Sequence, residues 1–451
     1  MEPGDEMSGA RFSSEAVTSL GGPVWLAEHR QGAWERFDGL ALPSESEEIW
    51  RYSGIDAFEL DRFGPSAKPG ESLGGSVADM SARVAGRLGE ISVMAVTVDG
   101  SLATLARGGS ASPEEVIVHS ASGLSERPEK LGSVASPHDA FGALAESLLP
   151  DVLRIAVTPK AEVELPIVVV HVVTGEPAGP WQSSAFPRTL VEAGEGASAS
   201  VVEIVVSLDS EAPSLVVPVT EVDLADGARL AYASVQSLNG TTWQVATQAS
   251  RIGRDAELRS FAVGLGGRYA RLRTDADVVG ERGSSQLFAA YLGTGSQVHD
   301  LRTLQDHHAA RSRSDLLFQG ALSGEARSVY SGLIRIARGA HGSDAFQTNR
   351  NLVLSDGAHA DSVPNLDIAE NDVRCSHAST VGPIDPEQLY YLESRGIRPE
   401  VGERLVVSGF FADIASRSPV ASIGRWLEQE VGERLRLDVT GGSTIVEDER
   451  G

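Results

Sequence analysis

Residues Ser328 to Arg395 have the sequence SVYSGLIRIARGAHGSDAFQTNRNLVLSDGAHADSVPNLDIAENDVRCSHASTVGPIDPEQLYYLESR and are the most informative part of the chain. The first part of this stretch alternates short runs of strand-forming residues with Gly-Ala and Asp-Gly-Ala turns. The last ten residues begin at a proline and have a helical pattern. The only cysteine of the chain, Cys375, lies two residues before His377. The stretch therefore predicts that an extended β structure ends here and that helices follow.

A turn followed by a small residue recurs through residues 161–372, where runs of Val, Ile, Leu and Ala alternate with polar turns. The turn positions are Ala197, Ala228, Ala256, Ser284, Ala309, Ala340 and Ala358. Their spacing is about 25 to 31 residues and shortens to about 18 at the end. A period of this size with several strands in each repeat predicts a solenoid of parallel strands. A β-sandwich, which also uses short strands, stays open as the alternative.

The segments on either side of the repeats differ in pattern from the repeats themselves. An amphipathic helix is predicted after Pro23, and a tight turn at Asp99-Gly100 is predicted to join two strands. Residues without hydrophobic periodicity at the start are expected to be disordered. The predicted segments are a disordered tail at 1–20, a mixed helical domain at 21–160, the β-solenoid at 161–382 and a helical domain at 383–451.

Composition and charge narrow the class of protein. The 451 residues are 41% hydrophobic and 22% charged, which is typical of a globular protein. No apolar run is long enough to cross a bilayer and no signal-peptide core is found, so a cytoplasmic location is expected. A single cysteine excludes an intramolecular disulfide and fits a reducing compartment. The net charge of −25 argues against nucleic acid or an anionic membrane as a partner.

Sequence motifs of enzymes are missing. Lys68, Lys130 and Lys160 are the only lysines, and none lies in a GxxxxGK[ST] phosphate-binding loop. If the protein takes part in ATP-driven work, another chain is expected to supply the ATPase. No nucleophile elbow, HExxH helix or convincing dinucleotide fingerprint is present. The sequence thus carries no motif that points to catalysis by this chain.

Cys375 and His377 are the residues best suited to bind a metal. Residues i and i+2 of a strand point the same way, so both side chains would share one surface. A thiolate and an imidazole suit iron or zinc, and a protonated imidazole nearby would favour the thiolate. One Cys and one His do not complete a tetrahedral site. Either another subunit completes the site, or Cys375 is a small buried apolar residue and His377 an ordinary turn residue.

Other histidines are predicted to have structural roles. His307 and His308, beside Asp306, are expected in a surface turn, and as neighbours they would face opposite sides and could not share one ion. His341 and His359 each follow a turn alanine, and their positions favour exposed residues on successive coils.

Three segments closely resemble the C-terminal core of the SufD family, a subunit of the SUF iron–sulfur cluster assembly scaffold. They are TNRNLVLSDGAHADSVPNLDI at 348–368, DVRCSHASTVGPID at 372–385 and LYYLESRGI at 389–397. WERFDGLALPSESEEIWRYSGI at 34–55 is similar to the entry segment of the family to a lesser degree. The resemblance implies a right-handed parallel β-helix core with helical flanks, and a scaffold role in cluster assembly. Ala378 stands where the family usually has glycine.

The resemblance also implies partners and sites. His377 and Cys375 would line a site shared with a SufB-like paralogue, where a transient iron–sulfur cluster or iron binds. The C-terminal helices would dock a SufC-like ABC ATPase. A flavin within the complex, and a homodimer of the isolated chain, stay open. The implied SufB-like interface comprises Asn349, Arg350, Asn351, Pro364 and Thr380. The implied ATPase-docking residues are Leu389, Tyr390, Leu392, Leu405, Phe410 and Phe411.

Three alternatives compete with this interpretation. A SufB-like chain usually carries several cysteines, and one cysteine argues against it. A purely structural, partner-binding solenoid would have no metal role. A β-helix enzyme acting on a polysaccharide would use Arg335, Arg338, Arg350 and Asp344 in a groove, but the net charge would repel uronate polymers.

Overall fold

The structure, a computed structural model, describes residues 12–67, 74–108, 112–208 and 211–440. The helices are α1 Ser14–Ser19, α2 Val24–Asp38, α3 Gly74–Leu88, α4 Ala140–Ser147, α5 Pro386–Ser394, α6 Pro399–Ala415 and α7 Ala421–Thr440. The strands are β1 Val93–Val98, β2 Ser101–Arg107, β3 Val116–Ser120, β4 Leu153–Val157, β5 Ile167–Val173, β6 Ser183–Ala185, β7 Arg188–Ala193, β8 Ser198–Ser207, β9 Ser214–Val216, β10 Val219–Leu224, β11 Arg229–Ser237, β12 Trp243–Ile252, β13 Glu257–Gly264, β14 Tyr269–Val278, β15 Ser284–Gly293, β16 Val298–His307, β17 Arg313–Leu322, β18 Arg327–Ile336, β19 Asp344–Val353, β20 His359–Ile368 and β21 Arg374–Gly382.

The strands form two sheets that share one interior. Sheet A has the order β2-β1-β5-β8-β11-β13-β15-β17-β19-β21, and the main path of sheet B is β20-β18-β16-β14-β12-β10-β7-β4-β3. From β10 onward the chain alternates between the sheets, and neighbours within each sheet are parallel. Each coil thus adds one strand to each sheet. The predicted mainly-β parallel solenoid is confirmed, and the β-sandwich alternative is wrong.

The corners of the solenoid explain the alanine repeat. Ala197, Ala228 and Ala256 are buried and pack in the core beside one another, because only a small side chain fits where the chain turns between sheets. Ala358 instead packs with Ala326 of the preceding coil, at the opposite corner from Ala340. The last spacing, from Ala340 to Ala358, is shorter because these two residues lie at different corners of the coil. For the same reason His341 and His359 do not lie on one ladder.

The N-terminal part of the chain extends the same sheets. β1 pairs with β5 in sheet A and β4 pairs with β7 in sheet B, so no break between sheets falls at the predicted boundary at residue 160. The helix predicted after Pro23 is α2, and the turn at Asp99-Gly100 joins the antiparallel strands β1 and β2. Both predictions are confirmed.

The first described residues correct one expectation. Within the tail predicted to be disordered, α1 is capped by the Ser13 side chain and buries Ala16 and Val17. A helix of six residues is too short to show a period in the sequence, and its stability comes from packing. Residues 1–11 of that predicted tail lie outside the described residues.

The C-terminal helices are present as predicted over Pro386 to Thr440, and residues 441–451 lie outside the described range. α6 packs on sheet A through Val407, Phe411 and Ile414. In the described part of the chain, none of the helices combines the length and apolar composition that a bilayer span requires.

Gly332 in β18 allows two large side chains to meet inside the last coils. Tyr330 Oη donates a hydrogen bond to Gln347 Oε1 at 3.1 Å, and a β-carbon on Gly332 would overlap with both groups. We expect Gly332→Ala to lower the free energy of unfolding by about 1–3 kcal/mol, because the interior cannot take the added volume. Denaturant unfolding measures this change. Gly240→Ala is the matched control, since nothing lies within 4 Å of a β-carbon there; equal midpoints for the two variants would contradict the prediction.

Candidate functional site

The solenoid ends in two strands that each have a free edge. β21 is the last strand of sheet A and pairs with β19, and β20 is the last strand of sheet B and pairs with β18, in the part of the chain that the structure describes. The N–H of Arg374 donates to the carbonyl of Ser343 in the sheet. Because backbone groups alternate sides along a strand, the N–H groups of the odd-numbered residues Cys375 to Val381 face the free edge.

The side chains of these residues face the interior side of the last coil. In register with β19, Cys375 lies beside Ala345 and His377 lies beside Gln347, and both β19 residues are buried inside the solenoid. Neighbouring residues in register point to the same face of a sheet. The structure therefore places Cys375 and His377 on one face of one strand. Ala378 lies between them and Gly382 in regular strand without a positive φ, so the departure from the family glycine does not distort the backbone.

The Cys375 thiol is a protonated, half-buried group. It packs against an apolar cluster that contains Ile336, Ala340 and Ala345. Burial raises the pKa of the thiol above its ordinary value. In the chain alone, burial thus opposes the thiolate form that a protonated imidazole nearby would favour. Metal binding by Cys375 would have to include loss of its proton.

The side chain of His377, in contrast, is exposed. Its ring makes no hydrogen bond or ion pair with any residue in the described ranges. Gln347 lies beside His377 in the sheet, but its side-chain amide donates to the carbonyl of Asn365 and accepts from the hydroxyl of Tyr330. Among the described side chains, no group of three potential ligands includes Cys375 or His377. The arrangement offers an imidazole and a thiol to a ligand but does not complete a metal site.

Two of the predicted interface residues lie inside the protein. Asn349 and Asn351 are buried, and Asn349 Nδ2 donates to Tyr291 Oη at 3.2 Å while Tyr291 Oη donates to Asn351 Oδ1 at 2.5 Å. Both side chains are covered within the chain itself, by strand β21 among others, so neither offers a surface to a partner. Arg350 and Thr380 are exposed and remain available.

Pro364, one of the implied interface residues, affects the free edge of β20. The N–H groups of His359 and Ala369 both bond toward β18, so even-numbered positions of β20 face the free edge. Pro364 is one of these positions and has no N–H to donate. It therefore interrupts the free edge of β20, as prolines often do on edge strands. The edge of β21 keeps its donors.

The predicted ATPase-docking residues divide into exposed and buried groups. Tyr390 is 73% exposed and Leu405 is 51% exposed, but Phe411 is 0% exposed and packs between α6 and sheet A. Phe411 is thus unavailable to a partner. The half-buried members are Leu389, Leu392 and Phe410. Tyr391 of α5, 56% exposed, belongs with the exposed group and was missed by the sequence reasoning.

A buried charged network deep in the solenoid was also missed. Both oxygens of Glu203 accept hydrogen bonds: from His171 Nε2 at 2.7 Å, from Thr189 Oγ1 at 2.6 Å, from Thr220 Oγ1 at 2.7 Å, and from the hydroxyl of Tyr232. Burial alone would raise the pKa of this carboxyl, but the hydrogen bond and charge of His171, with the other donors, lower the pKa to about 2. The acidic residue within the apolar run VVEIVV was the available signal.

Comparison with known proteins relates this geometry to a family. Residues 173–410, which include β21 and most of α6, match a family model described as SUF system FeS cluster assembly, SufBD core domain. An iron–sulfur cluster assembly SufBD family protein of Mycobacterium tuberculosis is 33% identical over 325 residues, covering 70% of this chain and 79% of the relative.

Two relatives named as iron–sulfur cluster assembly protein SufD are also similar. The Escherichia coli protein is 28% identical over 396 residues, covering 87% of this chain and 89% of the relative. The Bacillus subtilis protein is 29% identical over 304 residues, covering 65% of this chain and 66% of the relative. The similarity to the Escherichia coli protein thus spans most of both chains.

Proposed function

The chain belongs to the SufBD core family of SUF iron–sulfur cluster assembly proteins, and from this we propose that it is the SufD-like subunit of a scaffold complex. It would not be an enzyme in its own right. Its partners would be a SufB-like paralogue at the open end of the solenoid and a SufC-like ATPase at the C-terminal helices. The transient cluster, or its iron, would be cargo held between the two solenoids.

The observation that carries this proposal is the free edge of β21. It combines unused backbone donors with two side chains, Cys375 and His377, that suit iron. A strand of the partner added to this edge would lie about 4.8 Å from β21. Ligands on the inner face of that strand would come directly beside His377. A partner could in this way complete a site that the chain alone leaves incomplete.

The C-terminal helices offer a second contact surface. Tyr390, Tyr391 and Leu405 expose large apolar side chains, which is typical of protein-binding surfaces. The opposite side of α6 packs through Phe411 and Ile414 on sheet A, where it contacts β15 and β17. A movement of the ATPase against α6 would therefore act on the same sheet that ends in β21.

A partner-binding solenoid without a metal role is the second candidate. The apolar packing of Cys375 and its raised pKa favour it, since a protonated thiol is a poor ligand. The exposed and unpartnered His377 argues for the shared site. The two candidates differ only in whether the complex takes up iron.

The edge pairing can be tested with a proline at position 379. The N–H of Ser379 faces the free edge, so Ser379→Pro removes a donor to the partner while the bonds from β21 to β19 remain. We expect at least a tenfold weaker complex with the SufB-like partner, about 1.4 kcal/mol or more. Co-purification and titration of the two chains measure this. Ser379→Ala keeps the donor and is the matched control; a proline variant that binds as tightly as the alanine variant would refute the edge pairing.

A further inference from the structure

Three potential metal ligands meet on the outer face of sheet B. Asp277 is near the end of β14, Asp306 is its partner in register near the end of β16, and His308 follows directly after β16. The neighbours of Asp277 on its strand, Ala276 and Val278, belong to the core, so Asp277 itself points outward. One ligand atom from each of the three side chains lies within 4.8 Å of the others. In the described part of the chain this is the one such group.

The carboxylates of Asp277 and Asp306 are not fully satisfied by hydrogen bonds or ion pairs with the described residues. Asp277 makes no hydrogen bond or ion pair with any described residue. The side chain of Asp306 is only 6% exposed, and its Oδ1 atom has no hydrogen-bond partner. A buried carboxylate oxygen without a partner is costly, and here a second carboxylate faces it. The site favours the addition of positive charge.

Arg335 supplies positive charge to this group but does not neutralise both of its carboxylates. Arg335 Nη1 lies 3.1 Å from Asp306 Oδ2, and Arg335 Nε lies 3.6 Å from Asp367 Oδ2. His308 Nε2 lies 3.4 Å from the same Asp306 Oδ2. Both contacts engage Oδ2, and the buried Oδ1 has no hydrogen-bond partner among the described residues. One guanidinium shared between Asp306 and Asp367 does not neutralise Asp277 as well.

We propose that Asp277, Asp306 and His308 bind a single divalent transition-metal ion. Two carboxylate oxygens and one imidazole nitrogen suit Zn²⁺, Fe²⁺ or Mn²⁺, whereas an imidazole ligand disfavours Ca²⁺ and Mg²⁺. His308 is half exposed, so water can fill the remaining coordination positions and the ion can enter from solvent.

The proposed site is separate from the open end of the solenoid. Cys375 and His377 face the interior side of sheet A, two coils further along the chain, while this group lies outside sheet B. The expectation that His307 and His308 do not share an ion stands, because His307 faces inward and bonds to Ser312 and Ser314. The surface-turn expectation is wrong for His307, which is buried. The inference does not depend on the proposed function.

Calorimetric titration of the full chain with Zn²⁺, and anaerobically with Fe²⁺, tests the site. Cys375→Ser and His377→Ala are introduced first so that the open end does not compete. We expect one equivalent of metal, and at least tenfold weaker binding when Asp277→Asn or His308→Ala is added.

His359→Ala is the matched control. His359 Nε2 lies 3.3 Å from Asp361 Oδ1, so it is an exposed histidine with one carboxylate but no second one. This variant should bind metal as the parent does. Equal affinity of the parent and of His308→Ala would overturn the proposal, and so would an equal loss in His359→Ala and His308→Ala. His308 is at the surface, so its variant keeps the test valid even if Asp277→Asn is unstable.

Discussion

Replacing Glu203 by alanine is expected to lower the free energy of unfolding by about 3–5 kcal/mol. The carboxylate is fully buried between the sheets and accepts hydrogen bonds from His171, Thr189, Thr220 and Tyr232. Its removal leaves a buried imidazole and three hydroxyls without the carboxylate that accepts their hydrogen bonds. Few other single substitutions in this chain should cost as much.

Urea unfolding at neutral pH measures this loss. Glu393→Ala on α5 is the matched control, because that carboxylate is exposed and its removal should change stability by less than about 0.5 kcal/mol. A Glu203 variant with the midpoint of the control would show that the network does not stabilise the fold.

The contribution of Glu203 should also depend on pH in a defined direction. Its pKa is lowered from 4.5 to about 2 in the folded chain, so folding favours the ionised form. The stability it adds is therefore complete above about pH 4.5 and is lost as the pH falls toward 2. The difference in stability between the parent and Glu203→Ala should shrink over that range. A difference that stays constant down to pH 2 would contradict the assignment.

The parallel solenoid could be predicted because its corners leave a mark in the sequence. A small residue such as Ala228 must follow each turn, since it packs inside the corner. The two corners of a coil look alike in sequence, however, so the pattern groups Ala358 with residues of the opposite corner. Only the pairing of strands distinguishes them, and pairing joins residues about thirty positions apart.

The direction of polar side chains near the open end could not be predicted. Asn349 and Asn351 resemble surface residues in sequence, but Tyr291 from two coils earlier satisfies them inside the solenoid. The metal-ligand group was hidden for the same reason, because Asp277 and Asp306 meet only through strand register. A polar side chain can be expected at the surface only where the interior offers it no hydrogen-bond partner.

Replacing His377 by alanine is expected to lower cluster uptake by the assembled complex at least tenfold. The ring is exposed and makes no hydrogen bond or ion pair with other described groups, so the variant should fold and assemble normally. Any loss would then come from the missing ligand. Cys375→Ala should have a smaller effect, because its thiol is protonated and packed against apolar side chains.

The central claim, that the open end of this solenoid carries half of a shared cluster site, is tested by one measurement. The chain is co-purified with SufB-like and SufC-like partners, loaded anaerobically with iron and sulfide, and the iron and sulfide retained by the complex are quantified. We predict that the parent and His359→Ala retain a cluster and that His377→Ala loses most of it. A His377→Ala complex that retains as much iron and sulfide as the parent would contradict the shared site.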